Sequence, residues 1–163
     1  MIHIYLDAMG GDNAPQCTVE GAKEALRADK ELKITLGGPK AEIEKLLQDC
    51  PDIRDRLEID DCAEIITNHD APVMAIRQKK QSAQVKGMLL VREGGADGFV
   101  SAGSTGATLA GGMFRLGAAQ GDFQVLVRPQ GFLGPFHGAL GGVVAAHGVQ
   151  INVNHGVPPS KGS

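Results

Sequence analysis

Short β-rich runs alternate along the chain with stretches of helix length, and nearly every change-over falls on a turn marked by glycine or proline. Ile2-His3-Ile4-Tyr5-Leu6 reads as a strand that enters the glycine loop Asp7-Ala8-Met9-Gly10-Gly11-Asp12-Asn13. Ala14 to Asp29 then places Val19, Ala22, Ala25 and Leu26 on one helix face, with Asn13 as N-cap and Pro15 in the first turn. Leu32 to Leu36 is a second strand, stopped by Gly37-Gly38, and Pro39 opens a helix through Ile43, Leu46 and Leu47. Leu57-Glu58-Ile59 is a third strand. Pro72 starts a helix carrying Val73, Met74 and Ile76, and Ser82 to Glu93 is a further helix with Val85, Met88, Leu89 and Leu90. Asp97 to Ala102 is a strand, Gly103 to Gly106 a turn, and Ala107 to Leu116 a small-residue helix. Strands separated by helices cannot pair as hairpins, so the alternation predicts an α/β fold with a mainly parallel sheet. Such sheets bind ligands at the carboxyl ends of their strands.

Composition narrows the function classes. A net charge of −3 over 163 residues removes a basic nucleic-acid surface. No run of about 18 apolar residues suggests a membrane span, and Met1 to Asp7 lacks the basic and apolar regions of an export signal, so the expected compartment is the cytoplasm. Cys17, Cys50 and Cys62 fit no metal or redox spacing and are expected as reduced, buried or half-buried small hydrophobes. Glycine is abundant at 23 residues, about twice its usual ~7% share, which points to tight turns or to backbone approaching a ligand.

Two loops lie at the expected functional edge. In Asp7–Asn13, Gly10 and Gly11 free the backbone to turn its N–H groups inward, with Asp7 and Asp12 flanking them. In Ser101-Ala102-Gly103-Ser104-Thr105-Gly106, three hydroxyls precede a helix start, the arrangement of a phosphate cradle. The plain alternative for both is a strand–helix turn whose polar side chains cap the helix. The second loop is neither a Walker A sequence nor GxGxxG. His69 reads as a solvated turn histidine, Arg77–Gln81 with Lys86 as a solvated helix face, and Met88 to Val91 as core.

Taken together, Asp7-Ala8-Met9-Gly10-Gly11-Asp12, Gly37-Gly38-Pro39, Met74-Ala75-Ile76-Arg77, Lys79-Lys80, Ser82, Gly87 to Val91, Ala96 to Gly103 and Thr105-Gly106-Ala107 resemble the bacterial phosphate acyltransferases of membrane phospholipid synthesis, the PlsX type. The likeness spans residues 1–117 in order, with Ser104 standing where the family has asparagine. It implies a three-layer α/β/α sandwich similar to phosphate acetyltransferases and isocitrate dehydrogenase-like enzymes. It implies transfer of a long-chain acyl group from acyl carrier protein to inorganic phosphate, giving acyl phosphate, with no metal or organic cofactor. It further implies a homodimer in the cytoplasm, peripheral to the inner membrane face. On this resemblance Ser101, Gly103, Ser104, Thr105 and Gly106 bind phosphate, and Asp7, Gly10, Gly11 and Asp12 shape the facing wall. No catalytic base is assigned, since phosphate is itself an anionic nucleophile.

The chain divides near Gly117. Of 16 basic and 19 acidic side chains, only Asp122, Arg128 and Lys161 lie beyond it. Val125-Leu126-Val127 and Gly142-Val143-Val144 read as short strands, while His137, His147 and His155 suit no compact metal motif. Residues 118–163 are expected to be a divergent tail, from a shifted reading frame or a premature end, or else the C-terminal segment of a short variant. The expected domains are therefore 1–117, the N-terminal part of the α/β unit, and 118–163. A truncated inactive fragment and a small phosphate-binding module stand as alternatives to the acyltransferase.

Overall fold

The computed structural model describes residues 1–48, 50–117 and the pair Leu126–Val127. In chain order the elements are β1 (Ile2–Asp7), α1 (Gln16–Ala28), β2 (Leu32–Gly38), α2 (Lys40–Leu46), a 3₁₀ segment (Pro51–Arg56), β3 (Leu57–Asp61), α3 (Pro72–Gln78), α4 (Ala83–Arg92), β4 (Gly98–Ser101), α5 (Thr105–Gly111), a π-helical segment (Gly112–Gly117) and β5 (Leu126–Val127). The strands form one sheet in the order β3-β2-β1-β4-β5, and every pairing is parallel. The chain lays down β1, β2 and β3 outward in one direction, then crosses back to add β4 and β5 on the other side of β1. The strand order thus reverses between β1 and β4. β5 carries the expected Leu126-Val127 run, beside Val100 and Ser101; Val125, the 142–144 run, His137, His147, His155 and the rest of 118–163 lie outside the described residues.

Side-chain alternation along the strands builds the two outer layers. On one face Leu6, Ile34 and Leu36 meet Val19, Ala22 and Leu26 of α1, Ile43 of α2, and Ile53 of the 3₁₀ segment. On the other face Tyr5 and Phe99, register partners on β1 and β4, meet Ala83 and Met88 of α4. A third apolar cluster joins Ile76 of α3, Val85 of α4 and Ala107 of α5. The result is a three-layer α/β/α arrangement. Burying a side chain such as Leu36, which is fully enclosed, stabilises by roughly 1.5–3 kcal/mol.

Polar groups tie the layers at their edges. The Tyr5 hydroxyl donates to Asp60 Oδ2 at 2.7 Å, and Lys86 of α4 donates to the other oxygen of the same carboxylate. Burial, followed by the hydrogen bond to Asp60, pushes the Tyr5 phenol far up. Arg56 donates to the carbonyls of Leu26 (2.6 Å), Asp29 (2.8 Å) and Leu32 (3.0 Å), closing the end of α1 and the turn into β2. The first two are carbonyls that the C-terminus of α1 leaves without intrahelical partners, and the third begins β2.

Several local expectations shift. α1 starts at Gln16 with Pro15 as its N-cap and no side-chain cap, rather than at Ala14 behind Asn13. The Asn13 carbonyl instead accepts from the Cys17 N–H at 3.0 Å. Cys17 is exposed, not buried, because it falls on the solvent side of α1, whereas Cys50 and Cys62 are buried; all three are free thiols. In α3, Ala75 and Ile76 face the core while Val73 and Met74 are exposed. β2 runs through Gly37-Gly38 instead of stopping before them, because both pair with Asp60 and Asp61 of β3, and a side chain at Gly37 would run into Tyr5 and Ala83. The last helix begins at Thr105 rather than Ala107 and becomes π-helical at Gly112.

Gly87 shows how tightly the α4 face is packed. A Cβ there would collide with the Tyr5 ring and sit 2.6 Å from Phe99 Cδ2. Gly87→Ala is expected to lower unfolding free energy in urea by about 1–3 kcal/mol, as overpacking does. Gly21 in α1 has nothing within 4 Å, so Gly21→Ala is expected to raise it by roughly 0.5–1 kcal/mol through helix propensity. Equal midpoints for the two variants would contradict this packing account.

Candidate functional site

β1 and β4 end side by side, so the two loops marked by sequence meet at the point where strand order reverses. Asp7 closes β1 and is 4% exposed. Its Oδ2 accepts from the Ser101 hydroxyl at 2.8 Å and its Oδ1 from the Met9 N–H at 3.1 Å. Ser101, the last residue of β4, also accepts from the Gly103 N–H at 3.2 Å. One hydroxyl therefore relays between the first carboxylate and the second loop. Burial pushes the Asp7 carboxyl above its usual range; the Ser101 and Met9 hydrogen bonds pull it partly back, followed by the nearby Gln84 amide and the Gly10 N–H.

The loops also touch through their backbones. A Cβ on Gly10 would lie 2.7 Å from Gly103 N and 2.8 Å from Ser101 Oγ, and one on Gly103 would lie 2.8 Å from Gly10 Cα. Gly11 has φ +102°, a conformation that L side chains rarely adopt. These requirements explain glycine at three of the nine predicted positions by direct geometry.

The structure brings together Asp7, Gly10, Gly11, Ser101 and Gly103. Ser104 is buried and caps α5, accepting from the Ala107 N–H at 3.4 Å, so its hydroxyl serves the helix start. Thr108, fully buried, donates to the Gly103 carbonyl at 3.3 Å and fixes the loop from below. Thr105, Gly106 and Asp12 are exposed on the rim, with Gly106 against Pro72 of α3. His69 lies exposed in a turn, and Met88 is fully buried. The basic run is less solvated than its sequence suggests: Lys79 pairs with Asp70 at 2.7 Å and donates to the Ile65 carbonyl at 2.7 Å, and Lys86 pairs with Asp60.

A small cavity adjoins Asp7, lined also by Met9, Glu64, Ile66, Ser82 and Gln84. Sequence reasoning missed this wall because it scored α4 by its apolar residues alone. Gln84 stands one helical turn before Met88, on the buried face, and a polar residue at a core-facing helical position was the available signal. Among the described residues, no group of three or more His, Cys, Asp or Glu is placed to hold a metal ion, and no helix is long and apolar enough to cross a membrane.

Two glycine loops are locked together at the strand-order reversal of a parallel α/β/α sheet, the position at which proteins of this fold class commonly bind ligands. The chain belongs to the fatty acid synthesis protein family, whose model matches residues 2–122. It is 41% identical over 126 residues to a phosphate acyltransferase of Clostridium acetobutylicum, covering 77% of this chain and 38% of the relative. It is 48% identical over 119 residues to one of Alkaliphilus oremlandii, covering 72% and 35%, and 47% identical over 118 residues to one of Clostridioides difficile, covering 72% and 34%. These matches bear out the resemblance read from the motifs. The aligned part spans little more than a third of each relative's length.

Asp70 pins the segment that carries Glu64 to Ile66. Lys79 and the Thr67 N–H hold its carboxyl down, from an ordinary 3.8 to about 2. A folded pKa below the unfolded one stabilises above the unfolded value and is lost as pH falls through the folded value. The Asp70 side-chain carboxyl resonance is therefore expected to titrate with a midpoint near 2, and Asp70→Asn to loosen the 64–71 segment at neutral pH in amide hydrogen exchange. A midpoint near 4 would remove this pin from the account.

Proposed function

We propose that the chain carries the phosphate-binding wall of an acyltransferase that moves a long-chain acyl group from acyl carrier protein to inorganic phosphate. The observation that supports this reading most is the locked contact between the Asp7–Asp12 and Ser101–Gly106 loops at the strand-order reversal, in a chain whose relatives are named phosphate acyltransferases. In the proposed reaction a phosphate oxygen attacks the thioester carbonyl. The tetrahedral oxyanion collapses, the carbon–sulfur bond breaks, and the thiolate leaves as carrier-protein thiol after taking a proton. Acyl phosphate is the product. Thr105 and Gly106 offer backbone N–H groups and the Thr105 hydroxyl to phosphate, while Gly103, whose N–H donates to Ser101 and whose carbonyl accepts from Thr108, holds the loop against Gly10. Ser101 and Ser104 hold the loop in shape, since their hydroxyls are engaged with Asp7 and the α5 start. Asp7, Gly10, Gly11 and Asp12 form the facing wall. Fixed amide dipoles suit both a bound anion and a developing oxyanion.

The reading carries the reaction to a homodimer in the cytoplasm, peripheral to the inner membrane face, with acyl carrier protein as the macromolecular partner and no organic cofactor. A second reading is favoured by one observation: the match covers 34% to 38% of the relatives. On it, residues 1–117 are the N-terminal part of the catalytic unit, residues 118–163 a separate tail, and the isolated chain binds phosphate without efficient turnover. Purified chain mixed with acyl carrier protein thioester and phosphate, with free thiol followed by a chromogenic reagent, is expected to show little or no release, while calorimetry shows phosphate binding. Robust turnover would overturn the second reading. Absence of both binding and turnover would overturn the first.

A further inference from the structure

Gln84 is 2% exposed, and neither its Nε2 nor its Oε1 has a hydrogen-bond partner among the described residues. Buried carboxamides are nearly always paired, so one with both ends unpaired asks for an explanation. Its amide pulls on the Asp7 carboxylate without meeting hydrogen-bond geometry. Both residues line the same cavity, beside Met9, Ile65 and Ile66. The space is about 10 Å³, room for one oxygen atom and not for a whole tetrahedral anion.

The donors and acceptors around that space form an unusual set. Gln84 Nε2 donates. Gln84 Oε1 accepts. Each Asp7 oxygen already accepts one hydrogen bond and keeps a further lone pair. With Asp7 ionised, an oxygen that satisfies both ends of the amide accepts from Nε2 and donates to Oε1 or the carboxylate, and so carries a proton. A bare anionic oxygen would face two acceptors, one of them an acid group, with Glu64 also on the lining. Asp7 lines the cavity and also accepts from Ser101, so the cavity and the relay to the second loop share one carboxylate.

We infer that Gln84 and Asp7 form a subsite for the protonated oxygen of hydrogenphosphate, selecting it over oxyanions that carry no proton. The inference rests on the phosphate reading above and names a specificity residue for it. Sulfate is the natural discriminator. It shares the tetrahedral shape and the double charge but has no P–OH equivalent at neutral pH. A site whose buried groups require a proton on the ligand rejects the analogue that lacks it.

The test uses the full chain at pH 7 with inorganic phosphate and sulfate as probes, by calorimetry. Wild type is expected to bind phosphate at least about tenfold more tightly than sulfate, and Gln84→Met to lose about tenfold in phosphate affinity while its sulfate affinity stays unchanged. Thermal melting of Gln84→Met checks that the fold survives; removal of an unpaired buried amide should leave the midpoint equal or higher. Should that variant not fold, the Gln84 side-chain NH2 resonances of wild type are the second readout. They are expected to shift with phosphate and not with sulfate. Equal binding of the two anions, equal phosphate affinity in Gln84→Met, or NH2 resonances unmoved by phosphate would overturn the subsite and leave the acyltransferase reading standing, the cavity then holding an ordered water only. No phosphate binding by wild type would overturn both.

Discussion

The contact between Gly10 and Gly103 is the constraint on which the rest of the site depends. β1 and β4 lie next to each other in the sheet although their loops are more than ninety residues apart in the chain. Only residues without a Cβ let those loops close to backbone contact. Once they are closed, the Ser101 hydroxyl can reach Asp7 and accept from Gly103 together. The carboxylate is thereby oriented, and the second loop is held over it. A methyl group at either glycine would part the loops and break the relay along with the contact.

The same closure sets the electrostatics. Asp7 is buried among apolar and backbone atoms, so its protonated form gains on folding. Its contribution to stability is fullest at low pH and declines as pH rises through its raised folded pKa. Asp70 behaves in the opposite sense, because Lys79 and the Thr67 N–H favour its charged form. One carboxyl is thus held where charge is costly, at the strand ends, and another where charge is welcome, at the segment that walls the cavity. A costly buried acid persists where surrounding structure over-determines it, and such positions cluster at functional sites.

Much of this architecture is legible in the sequence. The alternation of β-rich and helical runs yields the parallel sheet, because local patterning and turn residues agree with the final fold. Both loops of the candidate site are visible as glycine clusters after strands. Their adjacency was not, since strand order is decided by long-range packing rather than by any local pattern. The exposure of Val73 and Met74 and of Cys17 escaped for a related reason: hydrophobicity alone does not say which helix face a neighbour covers. The sequence leaves Ser104 open between a ligand group and a cap, and its geometry is that of a cap. Gln84 escaped because polar residues were sought in loops, whereas this one lies in the first turn of a buried helix.

Binding and turnover place different demands on such a site. Holding an anion needs only groups within reach of it, and the β1 and β4 loops, with the cavity beside them, lie within one rigid sheet corner. Transfer needs a second reactant held in line with the first, and the gain from that positioning reaches roughly 7–11 kcal/mol. In the proposed transfer, the acyl donor's place would come from surfaces facing these loops. Elsewhere on α3 and the π-helical segment, Val73, Met74, Met113 and Phe114 are exposed, the last with Arg77 stacked 5.5 Å from its ring centre. Groups that hold an anion therefore need not be the groups that place its reaction partner, and the two demands can be met by separate parts of a site.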